Sequence, residues 1–197
     1  MMRSFHSLTS LGSWIVAWLL LGTAVFCVAQ TPAPALETKA LEKKIHELVN
    51  GRRTDHHGDA LEWDDRLAAI AREHSRDMAE HDFFDHTNLK DEGPAERVQN
   101  HGLRPGKEYE SVGENIFEVS VIHSTWTTLS STGKETIEVH YRTPESIASE
   151  TVQGWMASSG HRRNILNSGF QHQGIGVAVS AKGEVYITEL FLGIPGD

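Results

Sequence analysis

Cysteine is almost absent from this chain: Cys27 is the only one in 197 residues. It lies at the end of an apolar stretch near the amino terminus, and no thiol follows it. Downstream, that excludes a disulfide, a cysteine nucleophile and a thiolate metal ligand. The core alone must hold the fold, and any metal must be bound by imidazole and oxygen. Positive charge is also scarce. Eighteen Lys and Arg face 27 Asp and Glu, for a formal net charge of −9. That balance removes the basic footprint on which nucleic-acid binding depends. Internal repeats, a Gly-x-Ser-x-Gly turn, a phosphate-binding glycine loop and a calcium loop are missing too. His46-Glu47-Leu48-Val49-Asn50 starts like a zinc-protease helix, but Asn50 stands where the second histidine is needed. Ser158-Ser159-Gly160-His161 places serines near a histidine without the orienting acid of a triad.

The amino terminus reads as an export signal. Arg3 precedes the apolar run Trp14 to Val28, and Cys27-Val28-Ala29 ends it with small residues at the outer positions. Residues 1–29 are therefore expected to be a signal peptide cleaved after Ala29, which places the protein outside the cell or in the envelope. The alternative is an uncleaved anchor: Leu11 to Ala29 is barely long enough to span a bilayer, and membrane attachment is expected only in that case. Lipid attachment at Cys27 is disfavoured by the bulky Phe26 before it. Thr31-Pro32-Ala33-Pro34 marks a linker over 30–37, and one domain is expected over 38–197.

Within that domain, Leu41, Ile45, Leu48 and Val49 follow helical spacing, with Gly51 and the polar run Thr54 to Asp59 as the expected stop. Asp64 caps a second helix whose apolar stripe is Leu67, Ile70, Ala71, His74 and Met78. His74 on that stripe reads first as a buried histidine with a hydrogen-bond partner. Gly93-Pro94 starts a short helix that ends at Gly102, with Val98 turned inward. Thr143-Pro144-Glu145 starts another that runs to about Ala157, with Gly160 as terminator. Residues 174–179 and 185–192 are strand-like and joined by Ala181-Lys182-Gly183, a closing hairpin. Helices interspersed with a small, mainly antiparallel sheet imply an α/β class fold, layered as an α-β-α sandwich.

Seven segments in order carry a resemblance. They are Leu48 to Arg53, Leu61 to Leu67, Glu73 to Ala79, Phe84-Asp85-His86-Thr87, Gly113-Glu114-Asn115-Ile116, Gly154-Trp155-Met156 with Gly160 to Leu166, and Gly174-Ile175-Gly176-Val177. Together they resemble the CAP superfamily of cysteine-rich secretory, antigen 5 and pathogenesis-related proteins, with its bacterial SCP-like domains. The resemblance implies an α-β-α sandwich with a central cleft holding two histidines and two acids, and zinc or another divalent cation in some members. His86 matches the first histidine, Glu114 the first acid and His161 the second histidine. The second acid is missing from Met156-Ala157-Ser158-Ser159, where Ser158 is the nearest counterpart.

Chemically, His86, Glu114 and His161 are a workable zinc set with water in the fourth place. Loss of the second acid removes a general base and weakens hydrolysis more than binding. The bland reading is a hydrogen-bonded network that orders three loops. Asn115 is expected to bond loop backbone, Asn164 to pin a short turn, and Arg53 to tie the first helix to a neighbouring segment. The chain is thus read as a binding module for a metal, small ligand, lipid or envelope component. A metal-dependent hydrolase for peptide or cell-wall material and a structural or adhesion domain are the alternatives. The stretch Glu118 to Arg142 is longer than bacterial relatives suggest and reads as an inserted hairpin. It is expected to be solvated and to cover a sheet edge; the sharper alternative brings His123 or His140 to the cleft.

Overall fold

In the computed structural model, residues 35–133 and 135–196 are described. The signal-peptide reading and most of the linker fall outside them. Among the described residues no helix is long and apolar enough to cross a membrane.

Two helix starts follow from side-chain caps and a third from a proline. The Asp64 carboxylate accepts the backbone N–H of Arg66 and Leu67 and opens a helix over Asp65–His81. Thr143 accepts Ser146 N–H and opens one over Pro144–Ala157. Pro94 occupies the first turn of a helix over Pro94–Asn100. In chain order the elements are α1 Thr38–Asp55, β1 Glu62–Trp63, α2 Asp65–His81, α3 Pro94–Asn100, β2 Ser111–Ser120, β3 Ile122–Leu129, β4 Glu135–Tyr141, α4 Pro144–Ala157, α5 Ser159–Ile165, β5 His172–Val179 and β6 Glu184–Gly193.

Four strands form one sheet in the order β1-β5-β6-β2, in which only the β1–β5 pair is parallel. Its two faces are buried by different helices. Ile175, Val177, Val185, Ile187 and Phe191 pack with Leu41, Ile45 and Val49 of α1 and Ile147, Val152 and Trp155 of α4. Leu190 and Leu192 pack instead with Leu67, Ile70 and Ala71 of α2 and Val98 of α3. This period-two division along β6 makes the three-layer sandwich. Gly174 and Gly176 let α2 lie directly on β5, because a Cβ at either position would overlap the α2 backbone around Leu67–Ala68 and Ala71–Arg72.

Several boundaries differ from the sequence reading. Gly51 lies inside α1, which continues to Asp55 because Asn50 and Arg53 anchor its last turn: Asn50 pairs with both backbone groups of Leu61. Gly160 lies inside α5; the break between α4 and α5 falls at Ser158, whose backbone is extended. The inserted hairpin is shorter than expected. Glu118 to Ser120 still belong to β2 and pair with β6, so the two arms are β3 and β4. They form their own two-stranded sheet and do not cover the edge of the main one. Arg142 closes the stem, with its N–H on Val121 O and its guanidinium on Ser120 O and Ile122 O.

Candidate functional site

The site grows from β2. Successive residues on a strand face opposite sides, so Glu114 meets α3 and the loop before it while Asn115 meets β6 and α5. Glu114 is buried, and its two oxygens have different partners. Oε1 accepts Nδ1–H of His86 at 2.8 Å. Oε2 accepts an Nη2–H of Arg97, itself buried on α3. The other arm of Arg97 donates to His86 O at 2.8 Å and Glu92 O at 2.9 Å, so one guanidinium fixes both the carboxylate and the histidine backbone. His74 supports the same loop through Nε2 on Asp85 O at 2.9 Å, a buried histidine with a hydrogen-bond partner.

On the other face, Asn115 donates to Glu189 Oε2 at 2.9 Å and to His161 O at 3.3 Å. Asn164 donates to Asn115 Oδ1 and to Glu114 O, each at 3.0 Å. These bonds pin α5, and with it His161, to the strand that carries Glu114. Trp155 adds a bond from Nε1–H to Ile116 O at 3.0 Å. Ser158 sits at the α4–α5 junction, where its backbone N–H bonds Gly154 O and Trp155 O.

The two histidines have opposite proton affinities. The hydrogen bond to Glu114 raises the pKa of His86 above the usual histidine value, against partial burial. Burial lowers that of His161, and the charge of nearby His86 lowers it further. A proton is therefore taken by His86 in preference to His161. Because Nδ1–H of His86 is committed to Glu114, Nε2 is left as the nitrogen able to bind a ligand, the arrangement of a carboxylate-oriented metal histidine. His161 lies near His86 and offers a second imidazole. The imidazoles of His86 and His161 are the candidate donors, since both oxygens of Glu114 are already engaged by His86 and Arg97. Among the described residues no three His, Asp, Glu or Cys side chains stand grouped as a ready ligand set. His123 and His140 lie on the projecting hairpin. A separate cavity of about 220 Å³ opens between α2 and α3, past Arg97, and is not lined by His86, Glu114 or His161.

Comparison with known proteins decides the family. Residues 46–191 match the model of the cysteine-rich secretory protein family, CAP. The chain belongs to the CAP family. It is 33% identical over 163 residues to YkwD of Bacillus subtilis, covering 83% of this chain and 51% of YkwD. It is 31% identical over 136 residues to the membrane protein YlbC of the same organism, covering 69% of this chain and 31% of YlbC. The chain thus spans about half the length of one relative and about a third of the other. Among solved structures, an extracellular protein containing an SCP domain from Bacillus anthracis is 26% identical, with a TM-score of 0.56 over 79% of this chain and 41% of that one. An outer surface protein of Borrelia burgdorferi shares the fold at 16% identity, with a TM-score of 0.60 over 83% of this chain and 99% of that one. The CAP fold and the resemblance read from the seven segments are both borne out.

Two residues of the site were not singled out. Arg97 lies on the short helix next to the inward Val98, and it is the partner of Glu114. Glu189 lies in the apolar run of β6, fully buried between Asn115 and Gln173, and Gln173 reaches on to His46 of α1. An acid in the middle of a largely apolar strand is the available signal for Glu189. In a helix of seven residues, periodicity gives none for Arg97.

Proposed function

We propose that this CAP domain is an extracellular or envelope binding module whose cleft holds a divalent cation, such as zinc, or a small ligand through His86 and His161. The observation that carries the reading is the His86–Glu114 bond, which frees Nε2 of His86 and orients the ring. When bound, the cation would supply an electrophilic centre for a ligand's oxygen or nitrogen. His86 and His161 would hold it, Glu114 and Arg97 would keep His86 in place, and Asn115 and Asn164 would fix α5. An exported location is supported by the leader-like apolar run near the amino terminus and by the extracellular and outer-surface character of two structural neighbours.

Binding is favoured over hydrolysis by one feature. Both oxygens of Glu114 are engaged, one by a guanidinium, so this carboxylate is a poor general base. Zinc titration by calorimetry at pH 7.5, with melting temperature measured in parallel, tests the reading. One site per chain is expected, lost in His86→Ala/His161→Ala, with the melting temperature raised by zinc only in the wild type. Binding that survives the double substitution, or no binding by the wild type, overturns it.

A further inference from the structure

The outer face of α5 departs from the acidity of the rest of the molecule. Ser159, Arg162, Arg163 and Leu166 recur at helical spacing, and with Asn167 and Ser168 they line an open cavity of about 590 Å³. Among the described residues no acidic side chain lines it, in a chain of net charge −9. Both arginines are exposed, and among the described residues neither guanidinium has a carboxylate partner. Arg66, Arg72, Arg97 and Arg142, by contrast, each hold an acid.

The acceptors of this stretch are spent elsewhere. Buried Arg53 donates from beneath to Ile165 O and Asn167 O, at 2.7 and 2.8 Å. Asn167 Oδ1 accepts the N–H of Gly169, and Ser168 O accepts the side-chain amide of Gln171. The open side keeps the donors: two guanidinium groups, the Asn167 amide N–H and the hydroxyls of Ser159 and Ser168. They stand on a fixed base, because Ile165 is buried in the core and Asn164 bonds Glu114 O and Asn115 Oδ1.

We infer that this cavity binds a phosphate polymer, a chain of oxyanions laid along α5 across Arg162 and Arg163. A planar carboxylate is satisfied by one guanidinium fork. The tetrahedral oxygens of phosphate accept from several donors set at different angles, as the arginines, the Asn167 amide and the hydroxyls are. A cavity of this volume is sized for a ligand larger than one oxyanion, so successive phosphates share it. Among the described residues no aromatic side chain lines it, so the bases of a nucleic acid have nothing to stack on. The site follows His161 directly in the chain but uses none of His86, Glu114 or His161, and so stands apart from the cation reading.

Calorimetric titration of the purified protein with linear polyphosphate, in EDTA so that no cation bridges the two, tests the inference. Saturable binding is expected by about 1 mM phosphate units at low salt, and weaker binding as sodium chloride is raised. Arg162→Gln/Arg163→Gln is expected to weaken it by about tenfold or more. Arg162→Lys/Arg163→Lys should fall between that variant and the wild type, because lysine keeps the charge and loses the fork. Both side chains are exposed, so circular dichroism and melting temperature should stay near wild-type values. No saturation by the wild type, binding unchanged in the glutamine variant, or polyglutamate or single-stranded oligothymidylate of equal charge bound as tightly as polyphosphate each overturns the inference.

Discussion

Replacing Glu189 by Gln should make this domain more stable at neutral pH and leave it unchanged in acid. Glu189 is fully buried on β6, and burial pushes its pKa up to about 8, although hydrogen bonds from Asn115 and Gln173 and the charge of Arg53 oppose the rise. The folded protein therefore keeps a proton on Glu189 through a pH range in which the unfolded chain has lost it. The unfolded value is the ordinary 4.5. Between 4.5 and about 8 the folded state binds more protons, so stability falls as pH rises. At pH 7 the cost is about 3 kcal/mol, at ~1.36 kcal/mol per pH unit. Gln carries no such cost. It also presents the same pattern as the protonated acid, one donor and one acceptor, to which the Gln173 amide can adapt by turning over. The assay is urea unfolding of wild type and Glu189→Gln at pH 5, 6.5 and 8. The two midpoints should nearly coincide at pH 5 and separate as pH rises, with a gain of roughly 6–12 °C in melting temperature near pH 7 for a domain of this size. A constant offset between the proteins, or a variant weaker than wild type at pH 8, would show that Glu189 is ionised in the folded state and refute the reasoning.

Two further outcomes follow from other parts of the site. In an NMR titration His86 should protonate above the usual histidine range and His161 below it, and Glu114→Gln should bring His86 back toward the ordinary value. The raised pKa of His86 stabilises the fold fully below the unfolded histidine value and ceases to do so as pH rises through the raised value, so Glu114→Gln should cost more stability at pH 6 than at pH 9. Arg53→Ala removes buried bonds to Ile165 O, Asn167 O and Phe170 O, and should cost about 3–5 kcal/mol, read as a fall of roughly 10 °C in melting temperature.

The parts of the fold that the sequence made legible are those set by local chemistry. Asp64 and Thr143 define helix starts because a cap satisfies backbone donors within three residues, Pro94 because its fixed φ and missing N–H suit the first turn, and the β5–β6 hairpin is marked by its turn. Gly51 and Gly160 misled because a glycine is tolerated inside a helix that long-range contacts hold: Asn50 and Arg53 do so for α1, Asn164 for α5. Within the site, the nearness of His86 to Glu114 agrees with the motif order, but Arg97 and Glu189 are defined by partners 17 and 74 residues away. Such pairings depend on how the sheet closes, which no local pattern encodes. β1, of two residues, is likewise visible only through its pairing with β5.

The strand order also sets when the molecule can exist. β6, the last described element in the chain, is an inner strand: β5 lies on one side of it, β2 on the other, and α2 packs across it. A chain emerging from its amino terminus can form α1, α2 and their turns, but β2 has no strand to pair with until β6, residues 184–193, is available. Glu114 and Asn115 wait with it. The Glu114 site is therefore the last part of this domain to be assembled during synthesis, and a truncation within β6 would abolish the site, not trim the domain.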